Sequence, residues 1–219
     1  MSIDRELFLA VNGLTNPVLD WWSALVRATE IWLVPALIVL AVIAWRGSRR
    51  ARMAAATCVI VFVVSDGIFV RSLKIVSQRP RPAQVLDDVR SVRLERVEPR
   101  ILALGRPLEI GSFGPADASA PLRSFPSGHA WNSFAIATVI ALYCRRWGWF
   151  AFVPAVLIGV ARIHAGLHWP TDVLASAILS PPCTLGVVVA LERTLRALAR
   201  RFAPRWTDAL PSALERAAT

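Results

Sequence analysis

Apolar residues along this chain gather in runs that are too long for strands and are separated by short polar punctuation. Five such runs, at 31–45, 53–70, 130–144, 149–161 and 173–191, carry few interruptions. A helix needs about 20 residues to cross a bilayer, and these segments approach that length once their flanks are included. The pattern predicts an all-α, polytopic membrane bundle with five transmembrane helices. Ser65-Asp66-Gly67 interrupts the second run, and Pro181-Pro182 is expected to kink or break the fifth.

The N-terminal segment reads differently. Leu7, Val11, Leu14, Val18 and Leu25 recur at helical spacing, while Asn12, Asn16, Asp20 and Arg27 interrupt them. Asn16-Pro17 marks a break. Residues 1–27 are therefore expected to form an amphipathic helix pair lying in the interface, with Trp21 and Trp22 at headgroup level. A sixth span across 6–26 is the competing reading. Between Arg81 and Pro126 lies the longest polar stretch, which carries Arg90, Arg93, Arg96, Arg100, Arg106 and Arg123. It predicts a short hairpin, 91–98 against 101–110, followed by a Gly/Ser/Ala/Pro-rich loop at 111–120. As a long excursion, 83–125 reads as a lid or as a solvated loop.

Composition agrees with the membrane reading. Of 219 residues, 55% are apolar and 18% charged, with a mean hydropathy of +0.51; soluble domains carry about 25% charge. Disorder is excluded, and the length fits one domain, 1–219. Cys58, Cys144 and Cys183 lie in apolar stretches and read as packing residues. The net charge is +10, and Lys74 is the single lysine among 25 basic residues. Without a basic helix or an aromatic-interleaved basic sheet, no nucleic-acid partner is expected. Arg46, Arg49, Arg50, Arg52, Arg145, Arg146 and the tail at 193–219 alternate onto one face, which positive-inside counting makes cytoplasmic. Basic residues are as numerous on the opposite face, so that face needs a second reason for its charge.

Three clusters supply it: Lys74 to Pro82, Ser124 to His129, and Arg162 to Asp172. Alternation of spans puts all three at one membrane surface, and all three histidines fall within them. Ser127 is placed to cap the third span, Gly128 lets a ligand approach the backbone, and the free N–H groups there make an anion site. Pro170 fits the first turn of the last helix, with Asp172 positioned to fix the tautomer of His168. Lys74, Arg81 and Arg162 are donors suited to phosphate oxygens. No metal-ligand spacing exists, so these cations would neutralise a phosphoryl group in place of a metal.

The joint pattern resembles the signature of the type 2 phosphatidic acid phosphatase (PAP2) superfamily. Lys74 and Arg81-Pro82 match its first part, Pro126-Ser127-Gly128-His129 its second, and Arg162, His168 and Asp172 its third; Ala161 departs from the family's Ser. The resemblance implies a lipid phosphatase of the inner membrane with its site facing the extracytoplasmic side and no cofactor. It implies His168 as nucleophile, Asp172 as its orienting acid and His129 as general acid–base. Lys74, Arg81, Ser127, Gly128 and Arg162 would bind phosphate. Arg79, His164 and Asp66 match no motif position; His164 reads as structural and Asp66 as a partner within the bundle. The substrate would be a polyprenyl diphosphate or a phospholipid phosphate, with the undecaprenyl-diphosphatase type favoured by the short chain. A lipid A phosphatase, a vanadate-dependent haloperoxidase and a non-catalytic lipid-binding or transport protein are the alternatives.

Overall fold

The computed structural model describes residues 2–115, 123–203 and 212–213. At the N-terminus, Asn16 and Pro17 do what their chemistry favours. The Asn16 side chain accepts from the N–H groups of Val18 and Leu19, and Pro17 takes the first helical position. The result is the expected helix pair, α1 (Ile3–Asn12) and α2 (Pro17–Arg27). At 10 and 11 residues these are too short to span a bilayer singly.

The apolar runs form α3 (Thr29–Arg46), α4 (Arg49–Val64), α6 (Gly128–Gly148), α7 (Phe152–His164) and α8 (Pro170–Phe202), and a short α5 (Arg71–Ser77) extends α4. Four helical stretches among the described residues are long and apolar enough to cross a membrane, the third comprising residues 128–164. That stretch turns back on itself. Arg145 has φ 34°, and a Cβ at Gly148 would lie 2.6 Å from the Cα of Ala141, so α6 and α7 run side by side. The second stretch does not break at Ser65-Asp66-Gly67; it widens into a π-helix over Ser65–Val70. Nor do Pro181 and Pro182 end α8, which continues through them to Phe202.

The bundle is organised around α6. Val61 of α4 and Val188 of α8 pack on Ala135, Val139 and Tyr143 of α6, while Ala155 of α7 meets Ala130, Phe134 and Ala137. Small residues at these contacts let the helices approach closely. On α8 the buried positions are Asp172, Ser176, Ser180, Thr184, Val188 and Glu192, a mostly polar stripe at four-residue spacing. Ser180 donates to the carbonyl of Trp131 and Ser176 to that of Ser127, joining α8 to α6. By contrast, α3 buries no residue.

The structure is not purely helical. Val89–Leu94 (β1) pairs antiparallel with Leu108–Phe113 (β2), with a 3₁₀ helix, Arg100–Gly105, between them. The hairpin is present, but its second strand starts seven residues later than expected, because Ile101, Leu102 and Leu104 belong to the 3₁₀ turn. Gly111 to Phe113, assigned to the loop from sequence, lie in β2. Residues 116–120 of that loop and the two that follow lie outside the described residues, as do 204–211 and 214–219 of the basic tail; the tail's first part, 193–202, continues α8.

Candidate active site

The site grows from the start of α8. Pro170 occupies the first helical position, which leaves Asp172 in the first turn, where its carboxylate accepts from the Trp169 N–H at 3.0 Å. Asp172 is wholly buried and further held by Arg79 Nη1 at 2.6 Å and Ser124 Oγ at 2.5 Å. His168 turns Nδ1 toward this carboxylate at 3.6 Å, longer than a formed hydrogen bond. Such contacts commonly tighten only when substrate binds. Burial pushes the His168 imidazole down to about 4, and the charges of Arg162 and Arg81 act in the same direction against the pull of Asp172. The ring is therefore neutral at pH 7. With its proton on the Nδ1 that faces Asp172, Nε2 keeps its lone pair.

His129 enters from the first turn of α6, with Nε2 3.1 Å from Thr29 Oγ1. It lies within electrostatic reach of His168, Arg162 and Lys74. Lys74 comes from α5, and a Cβ at Gly128 would sit 3.7 Å from its Nζ, so the ammonium faces the start of α6. Ser127 holds the N-cap position of α6, yet its hydroxyl makes no capping bond. The Oγ is buried without a partner, and the same is true of Arg81 Nε and Arg162 Nε. The three sequence clusters thus meet at one end of the bundle.

Local backbone chemistry shapes the approach to His168. Gly166 has φ 75°, and a Cβ there would lie 2.8 Å from the Arg90 carbonyl and 2.7 Å from Val89 Cγ1. Only glycine fits this left-handed turn under β1. Nearby, His164 is fully buried and serves the fold. Its Nδ1 meets Ser23 Oγ at 2.9 Å and its Nε2 the Leu14 carbonyl at 3.0 Å. Asn12 and Arg90 complete that network: Asn12 donates to the Arg90 and His164 carbonyls, and Arg90 bonds Asp20. Asp66 accepts from Asn132 at 3.4 Å, inside the bundle.

Arg79, Ser124 and Asp4 contribute contacts that the motif alone does not name. Arg79 bridges Asp172 to Asp4 of α1, and Asp4 also accepts from the Thr171 N–H and hydroxyl. The guanidinium lies over the Trp169 ring, whose indole N–H donates to the Pro80 carbonyl. Arg79 and Ser124 sit inside the first two clusters, so their proximity to motif residues was the available signal; Asp4 carried none.

Comparison with known proteins gives the family. The model of the PAP2 superfamily matches residues 55–195, more than half of the chain. The undecaprenyl-diphosphatase BcrC of Bacillus subtilis is 28% identical over 180 residues, covering 81% of this chain and 79% of that protein. The lipid A 4'-phosphatase of Bacteroides thetaiotaomicron is 26% identical, covering 81% and 72%. Two shorter matches, at 43% and 39% identity, span only 28% of the length of the relatives concerned. The crystal structure of Aquifex aeolicus LpxE superposes with a TM-score of 0.56 at 26% identity, covering 84% of this chain and 94% of that one.

Proposed function

The chain belongs to the PAP2 superfamily, and on that premise we propose that it hydrolyses a lipid phosphate or diphosphate through a phosphohistidine on His168. The supporting observation is the set of unpartnered buried polar atoms. Of eight among the described residues, four belong to Arg81, Ser127, Arg162 and His168. Leaving such groups unsatisfied costs about 1–3 kcal/mol each, and an anion held between Arg81, Ser127 and Arg162 would satisfy those three donors, while His168 Nδ1 is turned to Asp172.

The proposed chemistry uses these groups in turn. His168 Nε2 attacks phosphorus in line, a P–N bond forms, and the P–O bond to the lipid breaks. Asp172 steadies the developing imidazolium, while Arg79, Ser124 and the Trp169 N–H hold the carboxylate in place. His129 gives its proton to the departing oxygen and then takes one from the water that cleaves the P–N bond. Lys74, Arg81, Arg162, the Ser127 hydroxyl and the Gly128 N–H bind the phosphoryl oxygens, stabilising the charge without a metal. The substrates named for the relatives, undecaprenyl diphosphate and lipid A, frame the choice of lipid.

The four long apolar stretches, one folded back at Arg145, fit an integral membrane protein with five crossings. Basic residues at 46–52 and 145–146 then face the cytoplasm, and the site faces the extracytoplasmic side of the inner membrane. The N-terminal helix pair lies against that surface. Acid-labile, base-stable label on His168 after brief incubation with ³²P-lipid tests the mechanism. Phosphate release that survives His168→Ala overturns it.

A further inference from the structure

Arg27, the last residue of α2, lines two neighbouring cavities. One, of ≈ 120 Å³, also touches Arg81, Gly166 and Leu167 beside the proposed phosphate site. The other, of ≈ 1110 Å³, opens between α2, the start of α3 and the hairpin. That larger space is amphipathic. Ile31, Val34 and Pro35 of α3 form an apolar wall, and Arg27, Arg93, Arg96 and Arg100 face it, with Glu30 and Glu98 also on the lining. Among the described residues, three of the four guanidinium charges have no carboxylate partner. Arg93 is paired with Glu109, and Arg100 donates to the Glu95 carbonyl. Arg27 is bonded only to neutral groups, the Ser91 hydroxyl and the Val92 carbonyl, and Arg96 makes no hydrogen bond or ion pair among the described residues. Burial, together with repulsion from Arg93, Arg81 and Arg96, pushes the Arg27 guanidinium below its ordinary range.

A half-buried arginine crowded by other arginines is an arrangement that an anion relieves. The cavity also exceeds the roughly 300–1,000 Å³ that suffices for a drug-sized ligand, so it has room for more than one phosphate group. We propose that Arg27 and Arg96 form a second anion subsite. It would hold a phosphate that is not cleaved but is carried on the same lipid headgroup, with the hydrocarbon chain lying against Ile31, Val34 and Pro35. This rests on the phosphatase reading above.

The test uses full-length protein in phosphatidylcholine vesicles and three substrates: phosphatidate, a prenyl diphosphate and a glycolipid with phosphates at both ends of its sugar unit. Arg96 is exposed, so Arg96→Gln leaves the packing intact, and its turnover of phosphatidate reports that the variant folds. For Arg96→Gln and Arg27→Gln, kcat/KM on substrates with a second phosphate should fall about tenfold or more, the loss expected for one charge-assisted hydrogen bond. Phosphatidate should change less than about twofold, having no second phosphate to lose. A loss confined to the glycolipid assigns the subsite to a distal phosphate, and one confined to the diphosphate to an adjacent phosphate. Equal losses on all three substrates overturn the subsite. Wild-type protein that releases phosphate from none of them overturns the phosphatase reading itself.

Discussion

His164 and His168 stand four residues apart, both buried, yet their surroundings assign them opposite work. His164 has a partner for each ring nitrogen, Ser23 and Leu14, and joins the N-terminal helices to α7. His168 has one nitrogen turned toward a carboxylate beyond bonding distance, amid cations with unspent donors. A satisfied buried histidine stabilises a fold, whereas an unsatisfied one held by its neighbours is poised for chemistry. Burial alone does not tell them apart; the partner count does.

The contrast can be broken by mutation. His168→Ala should lower kcat by about three orders of magnitude or more, with the melting temperature nearly unchanged. Asp172→Asn should cost about 10²–10⁴ in kcat by the same assay, since the ring loses its orienting charge. Arg79→Gln should cost about tenfold in kcat with little change in KM, because the Asp172 carboxylate keeps its other contacts. That variant carries a second signature. With Arg79 gone the Asp172 charge is less compensated and favours protonated His168, so the acid limb of the kcat/KM profile should move to higher pH. Arg79→Lys should restore part of it. His164→Ala should do the reverse of His168→Ala, losing about 1–3 kcal/mol of stability while the folded fraction keeps most of its activity. If His164→Ala instead abolished turnover in fully folded protein, the two histidines would not be separable in this way.

Acidity sharpens the same contrast. His168 is neutral in the fold down to about pH 4, against an ordinary value near 6.5. Its nucleophilic form should therefore persist through pH 5–6, and a kcat/KM limb at 6.5 assigned to His168 would contradict its environment. The unfolded chain binds this proton from pH 6.5 downward and the folded chain only near 4. Stability from this group is thus fully present above 6.5 and is lost as pH falls toward 4. Thermal melts between pH 7 and 4.5, compared with His168→Gln, measure it.

Much of this was legible in the sequence where the signal was local. The helix pair broken at Asn16-Pro17, the five apolar runs and the three basic or histidine clusters each lie within a few adjacent residues. What escaped depended on distant partners or on backbone detail. Ser176, Ser180 and Thr184 look neutral within an apolar run, so the polar stripe of α8 becomes visible only once α6 lies against it. Ser127 reads as a helix cap, but its hydroxyl is left uncommitted. Arg79 matches no motif position, and its bridge to Asp4 spans 75 residues of sequence. Pro181-Pro182 failed to break α8 because neighbouring helices hold it on both sides of the pair.

A π-helix, Ser65–Val70, joins α4 to α5. A π turn holds one residue more than the α-helical turn it replaces, so this segment works as a phase adjuster between α4 and α5. Wound as an ordinary α-helix, the same residues would rotate everything beyond by about 100°. The face of α4 that packs on α6 would stay in place, but Lys74 would swing away from Gly128. Bundle and phosphate site are therefore indexed to each other by a single residue of slack: a one-residue deletion that closes the π turn to α winding should keep the only lysine aimed much as before, whereas loss of the π turn at full length should not.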